Sequence, residues 1–199
     1  MKAAIPFKKQ KQDSKLRTTG VSRLFMVLIL VFLVLGLRVL PAKAFESKNE
    51  LTLKAAFFFS FAKFTDWPPA AFSDTETFVI GVLGKNPFGS ILDTLEGKTI
   101  GNRRAVVKQY DNTTAASRCH LLFVSGAIEK EVSSVIQKLA DSPVLTVSDM
   151  KGFADKGGMI QLISINDRIR FNINHASARR SSIKISSKLL QVAHKVIGE

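Results

Sequence analysis

A single stretch, residues 145–174, combines an apolar strand, a glycine-rich bend and two further strands, and it restricts the fold more than any other part of the chain. It reads LTVSDMKGFADKGGMIQLISINDRIRFNIN. The branched apolar residues at its start suit a buried position in a sheet. The loop that follows, residues 150–158, carries three glycines, whose backbones reach angles closed to other residues. The chain is therefore predicted to bend sharply just after a buried strand.

Two apolar runs, residues 159–165 and 169–173, follow this loop. The polar pair Asn166-Asp167 separates them and suits a hairpin turn, although it lacks the glycine of the most favourable two-residue turns. Two antiparallel strands are expected here.

The second strand of the hairpin alternates in polarity. Arg168, Arg170 and Asn172 alternate with apolar residues, so one face of the strand is apolar and the other is basic and polar. The polar face and the loop at residues 150–158 are candidate parts of a regulatory surface or of a small-ligand pocket. The simpler alternative is that the arginines are only solvated, since charged residues at a sheet edge also discourage unwanted strand pairing.

Residues 1–44 have the features of a signal peptide. Seven Lys and Arg residues precede an apolar run at 24–37, and the segment ends in the small-x-small pattern of Ala42-Lys43-Ala44. The predicted mature domain therefore comprises residues 45–199. The alternative is an uncleaved signal anchor, because the run up to Leu40 approaches the roughly 17 residues that can span a bilayer.

The predicted leader changes the meaning of the charge. The whole chain carries +13, but residues 1–44 hold nine Lys and Arg and one Asp, which leaves 20 basic and 15 acidic residues, or +5, in the remainder. These basic residues are dispersed, so the composition gives no support to a nucleic-acid role. A mature chain of 155 residues favours one domain with a true core.

The sequence contains one cysteine, Cys119, so no internal disulfide can form. It precedes the apolar run at residues 120–124. We expect a small buried core residue here rather than a reactive thiol.

Strand and helix patterns alternate through the centre of the chain. A phenylalanine-rich helix is predicted at residues 50–64, with its apolar residues on one face. Predicted strands follow at 77–83, 105–110, 120–124 and 144–147, and predicted helices at 87–95, 113–117 and 128–140. This alternation predicts an α/β fold: a single Rossmann-like three-layer domain with a mostly parallel sheet and an antiparallel hairpin at one edge.

The chain is predicted to end in a helix that begins at Ser186. Its inward-facing residues would be apolar residues at helical spacing, namely Leu189, Leu190, Ala193, Val196 and Ile197.

The sequence contains no recognisable catalytic or cofactor-binding pattern, so we predict a protein that is not an enzyme and has no cofactor. Gly81, Gly84 and Gly89 match neither the dinucleotide fingerprint nor the Walker pattern. The three histidines are far apart and lack metal-ligand spacing, and no serine lies in a nucleophile-elbow context. Ser148 and Asp149 remain as candidates, because ligands of open α/β sheets bind where strands end. Asp149 also suits a simple turn.

Several motifs, taken in order along the chain, resemble the YfiR/HmsC family. They are Lys54-Ala-Ala-Phe57, Phe61-Ala-Lys-Phe64, Trp67-Pro68, Gly81-Val-Leu-Gly84, Pro87-Phe-Gly89, Cys119-His-Leu-Leu-Phe123, Leu145-Thr-Val-Ser-Asp149, Gly152-Phe153, Gly157-Gly158, Arg168-x-Arg-Phe-x-Ile-Asn174 and Ser186-Ser-Lys-Leu-Leu190. Members of this family are exported proteins that restrain a membrane-bound diguanylate cyclase. The resemblance implies a homodimer. Some members of the family carry disulfides. Redox control through such bonds cannot be transferred to this chain, because it has only one cysteine.

The resemblance and the lack of a catalytic pattern together predict a periplasmic regulatory protein. Its partner would be the exported region of an inner-membrane diguanylate cyclase, with contact to the membrane only through that partner or an uncleaved leader. The alternatives are a periplasmic domain that binds a small ligand, and a hydrolase with an unrecognised site. The candidate binding residues are Ser148, Asp149, Phe153, Gly157, Gly158, Arg168, Arg170, Asn172 and Asn174.

Overall fold

The computed structural model describes residues 42–198 of the chain. The leader prediction concerns residues 1–44, nearly all of which lie outside the described residues. Helix α1, Ala42–Lys63, confirms the predicted phenylalanine-rich helix and begins earlier than expected. No helix in the described part of the chain is both long enough and apolar enough to cross a membrane.

The strands are short and separated by helical segments. They are β1 (Thr65–Asp66), β2 (Phe78–Leu83), β3 (Thr99–Ile100), β4 (Arg103–Tyr110), β5 (Leu121–Val124), β6 (Leu145–Ser148), β7 (Ile160–Ile165), β8 (Arg168–Asn174), β9 (Lys184–Ile185) and β10 (Lys195–Ile197). The remaining α-helices are α2 (Thr113–Ala116), α3 (Val132–Leu139), α4 (His175–Arg180) and α5 (Ser187–Val192).

Eight of these strands form one sheet in the order β10-β8-β7-β6-β5-β2-β4-β3. The five strands β4, β2, β5, β6 and β7 run parallel to one another. β8 is antiparallel to β7, and β3 is antiparallel to β4. The prediction of an α/β fold with a mostly parallel sheet and an antiparallel hairpin is confirmed.

Both faces of the sheet are buried. Phe58 and Phe61 of α1 belong to the apolar cluster on one face, together with Ile80 of β2. Val79, the neighbour of Ile80, belongs to the second cluster, with Leu139 of α3. Successive residues of a strand point to opposite faces, so this division shows that helices cover the sheet on both sides.

Three of the predicted helices are different in the structure. The helix predicted at 128–140 is preceded by a 3-10 segment, Gly126–Glu131, and the α-helix begins only at Val132. The segment predicted as a helix at 87–95 is a 3-10 helix, Gly89–Leu95. Its first residue has a φ of +54°, and the side chain of Asn86 accepts a hydrogen bond from the N–H of Phe88 at 2.8 Å. A side-chain turn therefore occupies the place where an α-helix would begin.

The last helix was predicted to continue to residue 197 and is wrong in its second half. α5 ends at Val192, and Ala193 is extended, with φ −63° and ψ 145°. Val196 and Ile197 then form part of β10, which pairs in parallel with β8. Branched side chains favour this strand, and it buries a sheet edge that a helix would have left open.

The sequence predicted that the hairpin of β7 and β8 lies at the edge of the sheet. This prediction is wrong, because β10 lies outside β8. β10 covers the last three residues of β8, Asn172–Asn174. Asn166 and Asp167 form the turn with φ values of 49° and 57°, and both residue types tolerate this region well.

Cys119 is buried, with 3 % of its surface exposed. Its Sγ donates to the carbonyl of Ala116 at 2.8 Å, and burial raises the pKa of the thiol. The predicted buried, unpaired cysteine is confirmed.

A second buried polar group, His120, ties the 3-10 segment Pro69–Phe72 to the sheet. The N–H of Val79 donates to Nδ1 at 2.9 Å, so this nitrogen carries no proton and Nε2 donates to the carbonyl of Ala71 at 3.0 Å. The ring stacks on Phe72 with a centroid distance of 4.4 Å. Burial lowers the pKa of His120 against the opposing hydrogen bond to Ala71.

We expect this histidine to weaken the fold on acidification. The native ring resists protonation, whereas the unfolded ring takes a proton near its usual pKa of about 6.5. The contribution of the neutral His120 ring to the free energy of unfolding is therefore fully present above about pH 6.5. As the pH falls below this value, the free energy of unfolding decreases by no more than ~1.4 kcal/mol per pH unit. His120→Asn keeps an acceptor for Val79 and cannot be protonated. Its urea midpoint should fall less between pH 7.5 and 5.0 than that of the wild type, and equal falls would contradict the assignment.

Candidate functional site

The hairpin extends past the end of its neighbouring strand. β6 pairs with β7 at only two positions, and the last pair joins Ser148 to Gln161. β7 continues to Ile165, and its pairing with β8 continues to Arg168. Residues 162–171 therefore form a two-stranded projection, which we call the hairpin arm.

One face of the hairpin arm packs on α1. The ring of Phe171 lies 5.0 Å from that of Phe61 and 5.7 Å from that of Phe57, both in edge-to-face arrangements. Contacts of this geometry add to the free energy gained by burial alone. The arm is therefore fixed on its apolar side.

The opposite face of the hairpin arm is open to solvent. Arg168 and Arg170 are exposed there, while Ile163 and Ile165, which pair with them across the hairpin, are half-buried. The alternation predicted from the sequence is confirmed by the burial of Ile169 and the other odd-numbered residues of β8. This face offers two guanidinium groups beside two aliphatic side chains.

The polar face continues into the part of the hairpin next to β6, residues 160–161 and 172–174, which we call the hairpin base. Asn172 is half-buried, and its Oδ1 is a buried acceptor with no hydrogen-bond partner in the described part of the chain. Buried acceptors of this kind are uncommon in folded proteins, because leaving one unpaired costs free energy.

The loop at residues 150–158 is held against the hairpin base by side chains. The N–H of Ala154 donates to Oε1 of Gln161 at 3.3 Å, and Nδ2 of Asn174 donates to the Ala154 carbonyl at 2.9 Å. Oδ1 of Asn174 accepts from the N–H of Ser177 at 2.9 Å, which caps α4. Asn174 thus has a structural task that the sequence pattern did not distinguish from a surface role.

Four other candidate residues also support this loop from within. Ser148 donates to the carbonyl of Val124 at 2.7 Å and accepts from the N–H of Met150 at 3.1 Å. Phe153 is fully buried in the cluster beside α3. Gly157 has a φ of +101°, and Gly158 lies so close to the Phe153 ring that no side chain would fit.

Asp149, unlike the residues that hold the loop, is exposed at the surface. Its carboxylate accepts from Nζ of Lys54 at 2.9 Å, and Glu50, one turn earlier on α1, contacts the same ammonium at 2.9 Å. Burial alone would lower the pKa of Lys54, but the two carboxylates raise it above its usual value. The ammonium therefore remains charged and joins α1 to the end of β6.

A cleft of about 300 Å³ lies between this ion-pair network and the hairpin arm. One wall contains Glu50, Lys54, Asp149 and Lys151, and the other is residues 161–164 of β7. The sequence did not single out Lys54 as a site residue, and it indicated Lys151 only as a member of the loop at residues 150–158. Lys54 stands in one of the motifs that carry the family resemblance, but its pairing across 95 residues was not encoded in any local pattern.

A larger groove of about 920 Å³ lies against β4, in front of Tyr110. Burial, and to a lesser degree the nearby Cys119, raise the pKa of Tyr110 to about 12. The phenol is therefore neutral at physiological pH and able to donate a hydrogen bond. Lys108 and Arg118 supply positive charge to the same groove.

None of the described residues form a group of three or more His, Cys, Asp or Glu that could hold a metal ion.

The candidate residues divide into two sets by their burial. Ser148, Phe153, Gly157, Gly158 and Asn174 hold the loop, whereas the side chains of Asp149, Arg168, Arg170 and Asn172 reach the cleft wall or the solvent-facing side of the hairpin.

A family model described as YfiR/HmsC-like matches residues 51–194. The crystal structure of a conserved domain protein from Vibrio cholerae O1 biovar El Tor is similar to part of the chain, with a TM-score of 0.48 and 10 % sequence identity. That match covers 60 % of this chain and 54 % of the other.

Proposed function

Because this chain belongs to the YfiR/HmsC-like family, we propose that its mature domain represses a membrane-bound diguanylate cyclase through direct contact with the exported region of the cyclase. Membership in the family suggests a periplasmic regulator of diguanylate cyclase signalling. In the proposed function the leader at residues 1–44 directs export and is cleaved, and the mature domain then represses the cyclase by direct contact.

The site is a binding surface rather than a reaction centre in this proposal. A periplasmic domain cannot reach a cyclic dinucleotide that is made in the cytoplasm, so its effect must pass through a partner that spans the bilayer. The partner needs two conformations, and the domain must bind one of them more tightly. Shifting the partner from almost wholly active to almost wholly inactive requires a difference of roughly 5.5 kcal/mol.

The observation that carries the proposal is the hairpin arm. Arg168 and Arg170 are exposed and form no ion pair within the described residues, and half-buried Ile163 and Ile165 lie beside them. Aliphatic anchors bordered by charged groups are typical of regulated protein interfaces. The fixed loop and the packing on α1 present this surface without a large ordering cost.

We also propose that the parallel strands form a Rossmann-like core and that the domain forms a homodimer. The strand order β4-β2-β5-β6 supports the first point. In open sheets of this type the carboxyl ends of the strands receive ligands, and the cleft beside Asp149 lies at the carboxyl end of β6. A dimer would present two copies of the regulatory surface.

A second candidate function is the binding of a small ligand in the groove beside Tyr110. The groove contains a neutral phenol and two basic residues, Lys108 and Arg118, against one acidic residue, Asp74, which favours a small anion with an aromatic or apolar part. Ligand screening by thermal shift distinguishes this function, since a ligand at a hundredfold excess over its Kd should stabilise the domain by roughly 2.7 kcal/mol.

Deletion of the gene is expected to raise cellular cyclic-di-GMP and biofilm formation only in cells that contain the partner cyclase. Re-expression of the wild type should restore the low level, whereas the charge reversal Arg168→Glu/Arg170→Glu should not. Lys130→Glu/Lys138→Glu, two exposed charges at and near α3, is the matched control and should restore it. Unchanged cyclic-di-GMP after deletion, with the cyclase expressed, would refute the repressor proposal.

A further inference from the structure

The outer edge of β7 is open along four of the six residues of the strand. β6 ends at Ser148, where its last pair with β7 is formed, so residues 162–165 have a strand neighbour only on the β8 side. The cleft beside Asp149 runs along this same edge, with Leu162, Ile163 and Ser164 in its wall.

The register shows which backbone groups are free at this edge. The N–H of Asn174 donates to the carbonyl of Met159 at 2.7 Å, so the odd-numbered residues of β7 direct their backbone groups towards β8. In an antiparallel pair the residues between them direct theirs to the other side. Past the end of β6, the carbonyl of Leu162 and the N–H and carbonyl of Ser164 therefore point into the cleft, and no partner for them is present in the described residues.

This edge lacks the features that normally block strand pairing. Edges are protected by lysine, proline, bulges or very short strands. β3 and β10, the outer strands of the sheet, have two and three residues, and β10 begins with Lys195. The part of β7 that has no strand neighbour on its outer side, residues 162–165, reads Leu-Ile-Ser-Ile and contains no charge and no proline. This part of the edge can therefore serve as a template for an added strand.

The charges around the edge indicate what would bind there. Glu50 and Asp149 share the ammonium of Lys54, so this network carries one net negative charge, which the exposed Lys151 in the cleft wall offsets. Arg168 and Arg170 on the adjacent strand are exposed, and neither forms an ion pair with the described residues. These two arginines make the surroundings of the edge positive. A second copy of this chain would bring like charges together, which is unfavourable. An acidic segment would be attracted.

We propose that an extended, acidic segment of the partner's exported region binds as an added strand on the free edge of β7. This inference rests on the proposed function, since it names the contact by which the regulator holds its partner. Main-chain hydrogen bonds from Ser164 and Leu162 would supply affinity, and the basic residues beside the edge would select acidic side chains at alternate positions of the segment.

The test uses the purified exported region of the partner cyclase and measures its Kd for the mature domain. Ser164→Pro removes the outward N–H, and its preceding residue already has the extended conformation that proline requires. We expect Ser164→Pro to weaken binding about tenfold or more. The matched control, Ser164→Ala, removes only the hydroxyl and should bind within about threefold of the wild type. Binding should also weaken as the salt concentration rises.

A measurement on the wild type alone guards against misfolding of the proline variant. Hydrogen exchange of the Ser164 amide should slow strongly in the complex, because that amide becomes a strand donor. Equal binding by wild type and Ser164→Pro, with no protection of the Ser164 amide, would overturn the inference and leave the proposed function standing. No binding by the wild type would refute both. A homodimer that dissociates in Ser164→Pro would show that a second copy occupies the edge, and would also overturn the inference.

Discussion

Gly158→Ala is expected to lower the free energy of unfolding by about 3 kcal/mol. A Cβ at this position would overlap three atoms of the Phe153 ring, far inside van der Waals contact. The ring is fully buried beside α3, so moving it would disturb the packed cluster. Either the loop at residues 150–158 or the packed cluster must move.

Urea denaturation of matched variants checks this expectation. Gly126→Ala is the control, because its Cβ would approach only Met150, at 3.8 Å, and its φ is not positive. It should change stability by less than about 0.5 kcal/mol. A double variant with Phe153→Ala should lose clearly less stability than the sum of the two single changes, since the clash is then removed. A loss below about 1 kcal/mol for Gly158→Ala would contradict the packing described for this loop.

The sequence predicted the parts of the fold that depend on local patterns. Arg168 to Ile173 alternate with period two, and this fixed both the strand and the face that each side chain occupies. The three glycines of the loop after β6 predicted a sharp bend, and Gly152 and Gly157 have φ values of 72° and 101°.

The parts that failed depend on pairing between distant segments. Residues 195–197 fit a helical face as well as a strand, and the choice was decided by the free edge of β8. Lys54 reaches Asp149 only because α1 crosses the end of β6. Neither contact has a signature in the local sequence, since each depends on how the whole domain packs.

The candidate site shows the same division. Position at a strand end marked Ser148, and the family resemblance marked Asn174, but neither signal states the task of the side chain, so both residues were grouped with Arg168 and Arg170. The structure separates them by burial: Ser148 and Asn174 are 0 % and 8 % exposed, whereas the two arginines face solvent. That Lys54 and Lys151 line one cleft could be found only once α1 and the loop were placed.

The second large effect is expected in the activity of the partner. At saturating concentration the mature domain should reduce the rate of cyclic-di-GMP synthesis by its full-length cyclase at least tenfold, because a difference of roughly 5.5 kcal/mol in affinity for the two states would inactivate nearly all molecules. The reduction should be reversed when the domain is diluted out, since no covalent step is involved.

The most direct test of repression by contact is this rate, measured with the full-length cyclase in nanodiscs, where both membrane faces are accessible. Added wild type and Lys130→Glu/Lys138→Glu are expected to suppress synthesis, and Arg168→Glu/Arg170→Glu, verified as folded by its urea midpoint, is expected to leave it active. An unchanged rate at saturating wild-type protein would contradict the account.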